Sequence, residues 1–101
     1  MSSNLIVLPQ ITVGNSAVQI STTAMQAQNY HKMASVTIEN DSSNGSGSYI
    51  LVGNSLITTT QFARKLFPGD WWTVSGSAID INKIYVLGST SGLKANISAT
   101  P

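Results

Sequence analysis

The chain has 101 residues, with five Lys or Arg, four Asp or Glu, one His, no Cys and a net charge of +1. Five scattered cations do not neutralise the run of phosphates that nucleic-acid affinity needs, and the lack of Cys removes disulfide scaffolds, thiol catalysis and Cys-based zinc sites. No apolar run exceeds four residues, as at residues 5–8 and 49–52, so no segment has the length of a membrane-spanning helix, and the start Met1-Ser2-Ser3-Asn4 lacks the cationic region of a secretory signal.

Taken in chain order, Asn4 to Leu8 form an apolar run closed by Pro9. Proline removes a ladder donor, so this piece reads as an edge strand or an extended arm. Residues 1–10 are therefore set apart as a possible arm, and residues 11–101 as a single domain. Ile11-Thr12-Val13 and Val18-Gln19-Ile20 are short β-like stretches broken at Gly14-Asn15. Residues 21–29 have weak helical preference without an apolar stripe and read as a loop or one short turn. From Ala34 the pattern sharpens: Ala34, Val36 and Ile38 alternate with Ser35, Thr37 and Glu39, the period of a half-buried antiparallel strand.

Residues 41–47 are a dense cluster of turn formers, followed by Tyr49-Ile50-Leu51-Val52, which suggests two strands joined by a long polar hairpin loop. Gly53-Asn54-Ser55 is a further turn, and Leu56-Ile57-Thr58 starts another short strand. Phe62 to Phe67 read as a loop. Pro68-Gly69 fits the central positions of a type II turn, and Trp71 to Val74 leave it as a strand. Ile79-Asp80-Ile81-Asn82 is another turn or a strand end. Residues 83–87 and 93–98 flank a Gly-Ser-Thr-Ser-Gly turn, with Leu93, Ala95 and Ile97 on one side and Lys94, Asn96 and Ser98 on the other. Seven or eight short strands with turns about every ten residues predict an all-β antiparallel sandwich, of jelly-roll or immunoglobulin-like kind.

The surface chemistry is unusual. Charged residues make up 9% of the chain, against about 25% in an ordinary soluble domain. In their place stand 15 Ser, 10 Thr and 8 Asn. A surface of hydroxyls and amides gives little charge repulsion between neighbours, which suits packing at high density in an assembly.

Few residues invite chemistry. Asp41, Asp70 and Asp80 lie in turn contexts, where Asp is favoured for bonding the nearby backbone, and no acidic run has the density of a calcium loop. His31 stands alone, and no nucleophile elbow or phosphate loop is present. The expectation is a protein without catalytic, metal or cofactor sites. Trp71-Trp72 is more informative. Neighbours on a strand face opposite ways, so Trp72, in phase with Val74, points into the sandwich. Trp71 then lies outside, as an anchor in a protein contact, as a stacking platform for sugar rings, or under a loop such as residues 58–65. Arg64 and Lys65 between Phe62 and Phe67 are a second candidate contact. The third is the run Leu5, Ile6, Val7 and Leu8, either an arm that pairs with a neighbour's open edge or the first strand of its own sheet.

A set of features from Ala34 to Ser98 resembles small β-sandwich structural proteins of tailed bacteriophages. They are Val36-Thr37-Ile38-Glu39-Asn40, then Tyr49-Ile50-Leu51-Val52-Gly53 with Ile57-Thr58, then Leu66-Phe67-Pro68-Gly69-Asp70. The last is a final hairpin from Ile84-Tyr85-Val86-Leu87-Gly88 to Leu93-Lys94-Ala95-Asn96-Ile97. The resemblance covers about two thirds of the chain, and nothing before Ala34 belongs to it. It implies a virion component seated on the capsid surface, a decoration or cement protein bound to the major capsid protein or other virion proteins, itself a homo-oligomer with the trimer favoured. A tail fibre, spike or head–tail connector component, or a carbohydrate- or receptor-binding module, is the alternative.

Overall fold

The computed structural model describes residues 5–21 and 32–101. His31 and the expected loop or turn beyond Ser21 lie outside those residues. Nine strands are described: β1 (Ile6–Val7), β2 (Ile11–Val13), β3 (Val18–Gln19), β4 (Met33–Asn40), β5 (Ile50–Gly53), β6 (Arg64–Leu66), β7 (Trp71–Ile79), β8 (Tyr85–Gly88) and β9 (Leu93–Thr100). They form two antiparallel sheets packed face to face.

β1 and β2 both pair with β9, end to end, as one interrupted edge strand. Between the pairs Val7–Ser98 and Ile11–Ala95, three residues (Leu8, Pro9 and Gln10) face only two (Asn96 and Ile97). Pro9 thus sits in a bulge on a sheet edge, where a missing N–H harms least. With β1 and β2 counted together, the first sheet runs β1/β2-β9-β4-β7 and the second β3-β8-β5-β6. This is the jelly-roll order. Consecutive strands change sheet at every step except β5–β6, unlike an immunoglobulin arrangement, in which several sequence neighbours share a sheet.

Alternation decides what lies between the sheets. On β4, Val36 and Ile38 face inward, and on β9 so do Leu93, Ala95, Ile97 and Ala99. Ile50 and Val52 of β5, Leu66 of β6 and Val86 of β8 meet them from the second sheet, with Ile20 and Ile81 closing the ends. Each fully buried Ile or Val stabilises the fold by roughly 1.5–3 kcal/mol. Trp72 and Val74 both pack on this core, as their phase predicts, while Trp71 faces out.

The structure corrects several local expectations. Residues 41–47 do not close a hairpin. β4 is central in the first sheet and β5 in the second, so the loop crosses between sheets, and so does the turn between β8 and β9. Asn44 anchors the first crossing, because its amide donates to the Lys94 carbonyl (2.8 Å) and accepts from the Lys94 N–H (3.0 Å), as a ladder residue would. The segment from Phe62 to Phe67 is not all loop, since Arg64–Leu66 form β6 against β5. Leu56-Ile57-Thr58 is not a strand and contributes only an isolated bridge, Thr58 to Gln61. After β7, Asp80 caps a 3-10 turn at Ile81–Lys83 by accepting from the Asn82 N–H at 2.9 Å.

The N-terminal segment is part of the sandwich from Ile6 onward. The Leu8 N–H donates to the Ile97 carbonyl at 3.0 Å, and its side chain is 6% exposed within the core. Ile6 packs on the same core. Leu8 is thus buried in the domain's own core and Ile6 is partly buried against it, with β1 covering the edge of β9.

Candidate binding surfaces

Each sheet has an outer face, and the two faces differ in chemistry. On the first sheet the outward positions of β4, β7 and β9 carry mostly hydroxyls and amides. Register groups them into rows across the strands. One row holds Trp71, Glu39 and Asn96, since Glu39 is paired with Trp71 on one side and with Asn96 on the other. Gln10, brought alongside by the Pro9 bulge, extends it by donating to the Asn96 side-chain carbonyl at 2.8 Å. The Asn96 amide in turn donates to Glu39 (2.7 Å) and to Asp41 (2.9 Å).

The adjacent row is Thr73, Thr37, Ser98 and Val7, with the two threonine hydroxyls bonded at 2.8 Å. Between these rows lies a shallow depression of about 250 Å³ bordered by Val7, Thr37, Glu39, Trp71, Asn96 and Ser98. Trp71 is 64% exposed and Val7 75%. No loop among the described residues covers the indole.

Among the described residues this face carries two carboxylates, Glu39 and Asp41, and one cation, Lys94, whose ammonium donates to the Thr12 hydroxyl at 2.9 Å. Hydrogen bonds from the Ser43 hydroxyl, the Asn96 amide and the Ser43 N–H hold the Asp41 carboxyl below its ordinary value of 3.8. Asp70 and Asp80 are spent on turns, accepting from the N–H groups of Phe67 (3.0 Å) and Asn82 (2.9 Å). Among the described residues no three His, Cys, Asp or Glu side chains come together as a metal site would require.

The outer face of the second sheet is apolar and aromatic. β5 is buried on both sides: Ile50 and Val52 enter the main core, while Leu51 turns outward beneath Ile57 and Leu87. The cover is the loop after β5, where the Asn54 side chain accepts from the Leu56 N–H (2.9 Å) and its carbonyl from the Ile57 N–H (3.0 Å). Tyr49 and Tyr85 pack against this second cluster. Phe67 meets Tyr49 edge to face, with centroids 6.2 Å apart. The Lys65 ammonium lies 4.5 Å from the Tyr49 ring centre and 5.9 Å from that of Phe62, within cation–π range. Phe62 and Phe67 remain exposed beside it, and Leu56 of the covering loop is exposed as well.

Arg64 has a different role from Lys65. It is in phase with the core residue Leu66, and its guanidinium stacks 5.4 Å from the Trp72 ring centre, closing the flank where the edge strands β6 and β7 approach. The structure therefore divides the nine contact residues read from the sequence. Phe62, Lys65 and Phe67 share the aromatic face, Leu5, Val7 and Trp71 are exposed on the first sheet's side, Arg64 guards a flank, and Ile6 and Leu8 are interior. Sequence reasoning passed over Leu56, Tyr49, Glu39, Asn96 and Gln10. A polar-apolar alternation marked Glu39 and Asn96 as outward, but only register sets them side by side. Comparison with protein-family models, with curated proteins and with solved structures finds no match for this chain.

Proposed function

We propose that this chain is a non-enzymatic structural protein of a virus particle, a decoration or cement protein that seats on the capsid surface and bridges capsid subunits. One observation carries the reading: the exposed Phe62 and Phe67 gathered with Tyr49 around Lys65, on a body with very few charges. Aromatic side chains beside a single cation are the chemistry of a protein-contact centre, where aromatic anchors dominate the binding energy. Leu5 and Val7, on the side of the opposite sheet, give a second and smaller contact, which a bridging subunit requires. The jelly-roll order supports the reading without being specific to it, since capsid and lectin domains share it. The resemblance to phage structural proteins points the same way, and a trimer at local three-fold positions is the assembly it suggests.

The test is copy number. Particles purified from the source should contain this chain in a fixed ratio to the major capsid protein, either near equality or one per local three-fold, by quantitative mass spectrometry. A handful of copies per particle would move it to the tail, spike or connector. Absence from particles would overturn the virion assignment.

A further inference from the structure

We infer that the outer face of the first sheet is a binding site for a neutral saccharide, with the Trp71 indole as the platform on which a pyranose ring stacks. The inference rests on the row formed by Trp71, Glu39, Asn96 and Gln10, and not on the capsid assignment. These four side chains come from β7, β4, β9 and the Pro9 bulge, which are successive neighbours across the sheet. At a strand spacing of about 4.8 Å the row is roughly 14 Å long, the scale of a short oligosaccharide rather than of one ring.

The chemistry of each position matches a sugar. An indole presents a flat apolar face to the C–H side of a pyranose and leaves its edge wet. Trp71 is 64% exposed and stands at the end of the row beside a shallow depression. Next to it the Glu39 carboxylate accepts one hydrogen bond, from Asn96, and has no cation against it among the described residues. Its remaining lone pairs are acceptors for sugar hydroxyls, and hydrogen bonds to an ionised group are the stronger kind. Asn96 is held rigid, since both its amide protons go to Glu39 and Asp41 while its carbonyl accepts from Gln10. A hydroxyl-reading side chain fixed by its neighbours loses little entropy on binding. Thr37, Thr73 and Ser98 supply further hydroxyls in the adjacent row.

The same residues select against other ligands. Two carboxylates, Glu39 and Asp41, stand against the single ammonium of Lys94, which is turned to Thr12, so phosphate, sulfate and sialic acid are disfavoured beside Trp71. The exposed apolar side chains here, Trp71 and Val7, stand at opposite ends of the depression with polar side chains of the two central strands between them, whereas the opposite face groups its aromatics.

The experiment applies the purified chain to an array of neutral hexose and N-acetylhexosamine glycans with sialylated and sulfated glycans as controls. The strongest neutral binder is then titrated by calorimetry and by tryptophan fluorescence. Binding to a neutral oligosaccharide is expected, weakened at least ~10-fold by Trp71→Ala and about 10-fold by Glu39→Gln, and unchanged by Phe67→Ala on the opposite face. Both variants alter exposed or half-exposed side chains, and circular dichroism verifies their fold. No binding to any neutral glycan, binding to the anionic glycans alone, or neutral binding indifferent to Trp71→Ala overturns the inference. Concentration-dependent dimers abolished by Trp71→Ala, seen by sedimentation velocity in a chain that binds no glycan, would assign the indole to a second copy instead. Copy number in particles is independent of each of these results, so the two readings fail separately.

Discussion

Asn40 is a polar residue at the end of the core with no exposed surface, and every polar group it carries is in use. Its side-chain amide donates to the Leu66 carbonyl (2.8 Å), its side-chain oxygen accepts from Asn44 (2.5 Å), its N–H donates to the Asp70 carbonyl (2.9 Å), and its carbonyl accepts from the Gly69 N–H (2.8 Å). Asn40→Ala removes the hydrogen bonds of this buried side chain to the Leu66 carbonyl and the Asn44 amide, so we expect a loss of about 2 kcal/mol in urea denaturation. Gly69, which Asn40 holds, has φ 89, and Gly69→Ala places a Cβ in the left-handed region at a penalty of about 1 kcal/mol or more. Asp41 makes stability depend on pH. Its folded-state pKa is depressed, so the unfolded chain takes up the proton first as pH falls. The stabilisation is present above the ordinary value of 3.8 and is lost as pH falls through the lower, folded value. Thermal melts between neutral pH and pH 2–3 should show a shallower acid decline in Asp41→Asn than in the parent.

The interrupted strand β1/β2 gives a test at the level of elements. Deleting residues 1–8 removes the buried Leu8 side chain and the β1 pairing with β9, while β2 stays on the same edge. A fall of about 3 kcal/mol in stability is expected with the far-ultraviolet strand signature retained; an unchanged urea midpoint would mean that these residues contribute nothing to the sheet. The elements themselves were largely legible beforehand. The alternation on β9, and on β4 from Ser35 onward, depends on one residue and its neighbours, as does the Pro68-Gly69 turn, and the opposite facing of Trp71 and Trp72 follows from the pleat. Ala34, read in phase with Val36 and Ile38, is exposed because the register shifts between Met33 and Ser35. The partners were not legible. A polar turn reveals that the chain reverses but not which sheet receives it, so the crossings after β4 and β8 read as hairpins. β6 was hidden because Arg64 and Lys65 look like loop residues: both are exposed on a short edge strand, Lys65 on the outer face and Arg64 at the open flank against Trp72. The outward facing of Trp71 could be read from the sequence, but not that no loop among the described residues covers it, and the row it shares with Glu39 and Asn96 depends on register set by β4 pairing with β7 and β9.

At the scale of the whole molecule the low charge has a direct consequence for association. The proposed contact through Phe62 and Phe67 would bury apolar surface, and the cations beside it are few. Attachment to a particle should change little between low salt and roughly 1 M salt, because there is little Coulomb attraction to screen; release across that range, followed by co-sedimentation, would show that charge drives it. The strand order has another consequence, for how the protein is made. β9 fills the gap between β1/β2 and β4, so β1 and β2, made first, have no lateral partner until β9 has emerged. Val36 and Ile38 can gain β7 earlier, as β5 can gain β6 and β8, but β4 lacks its other neighbour and Val13 stays unpaired until then. Completion of the main core thus waits for β9. A nascent chain stalled before Leu93 should remain protease-sensitive and chaperone-bound, and gain protection in one late step when residues 93–100 emerge.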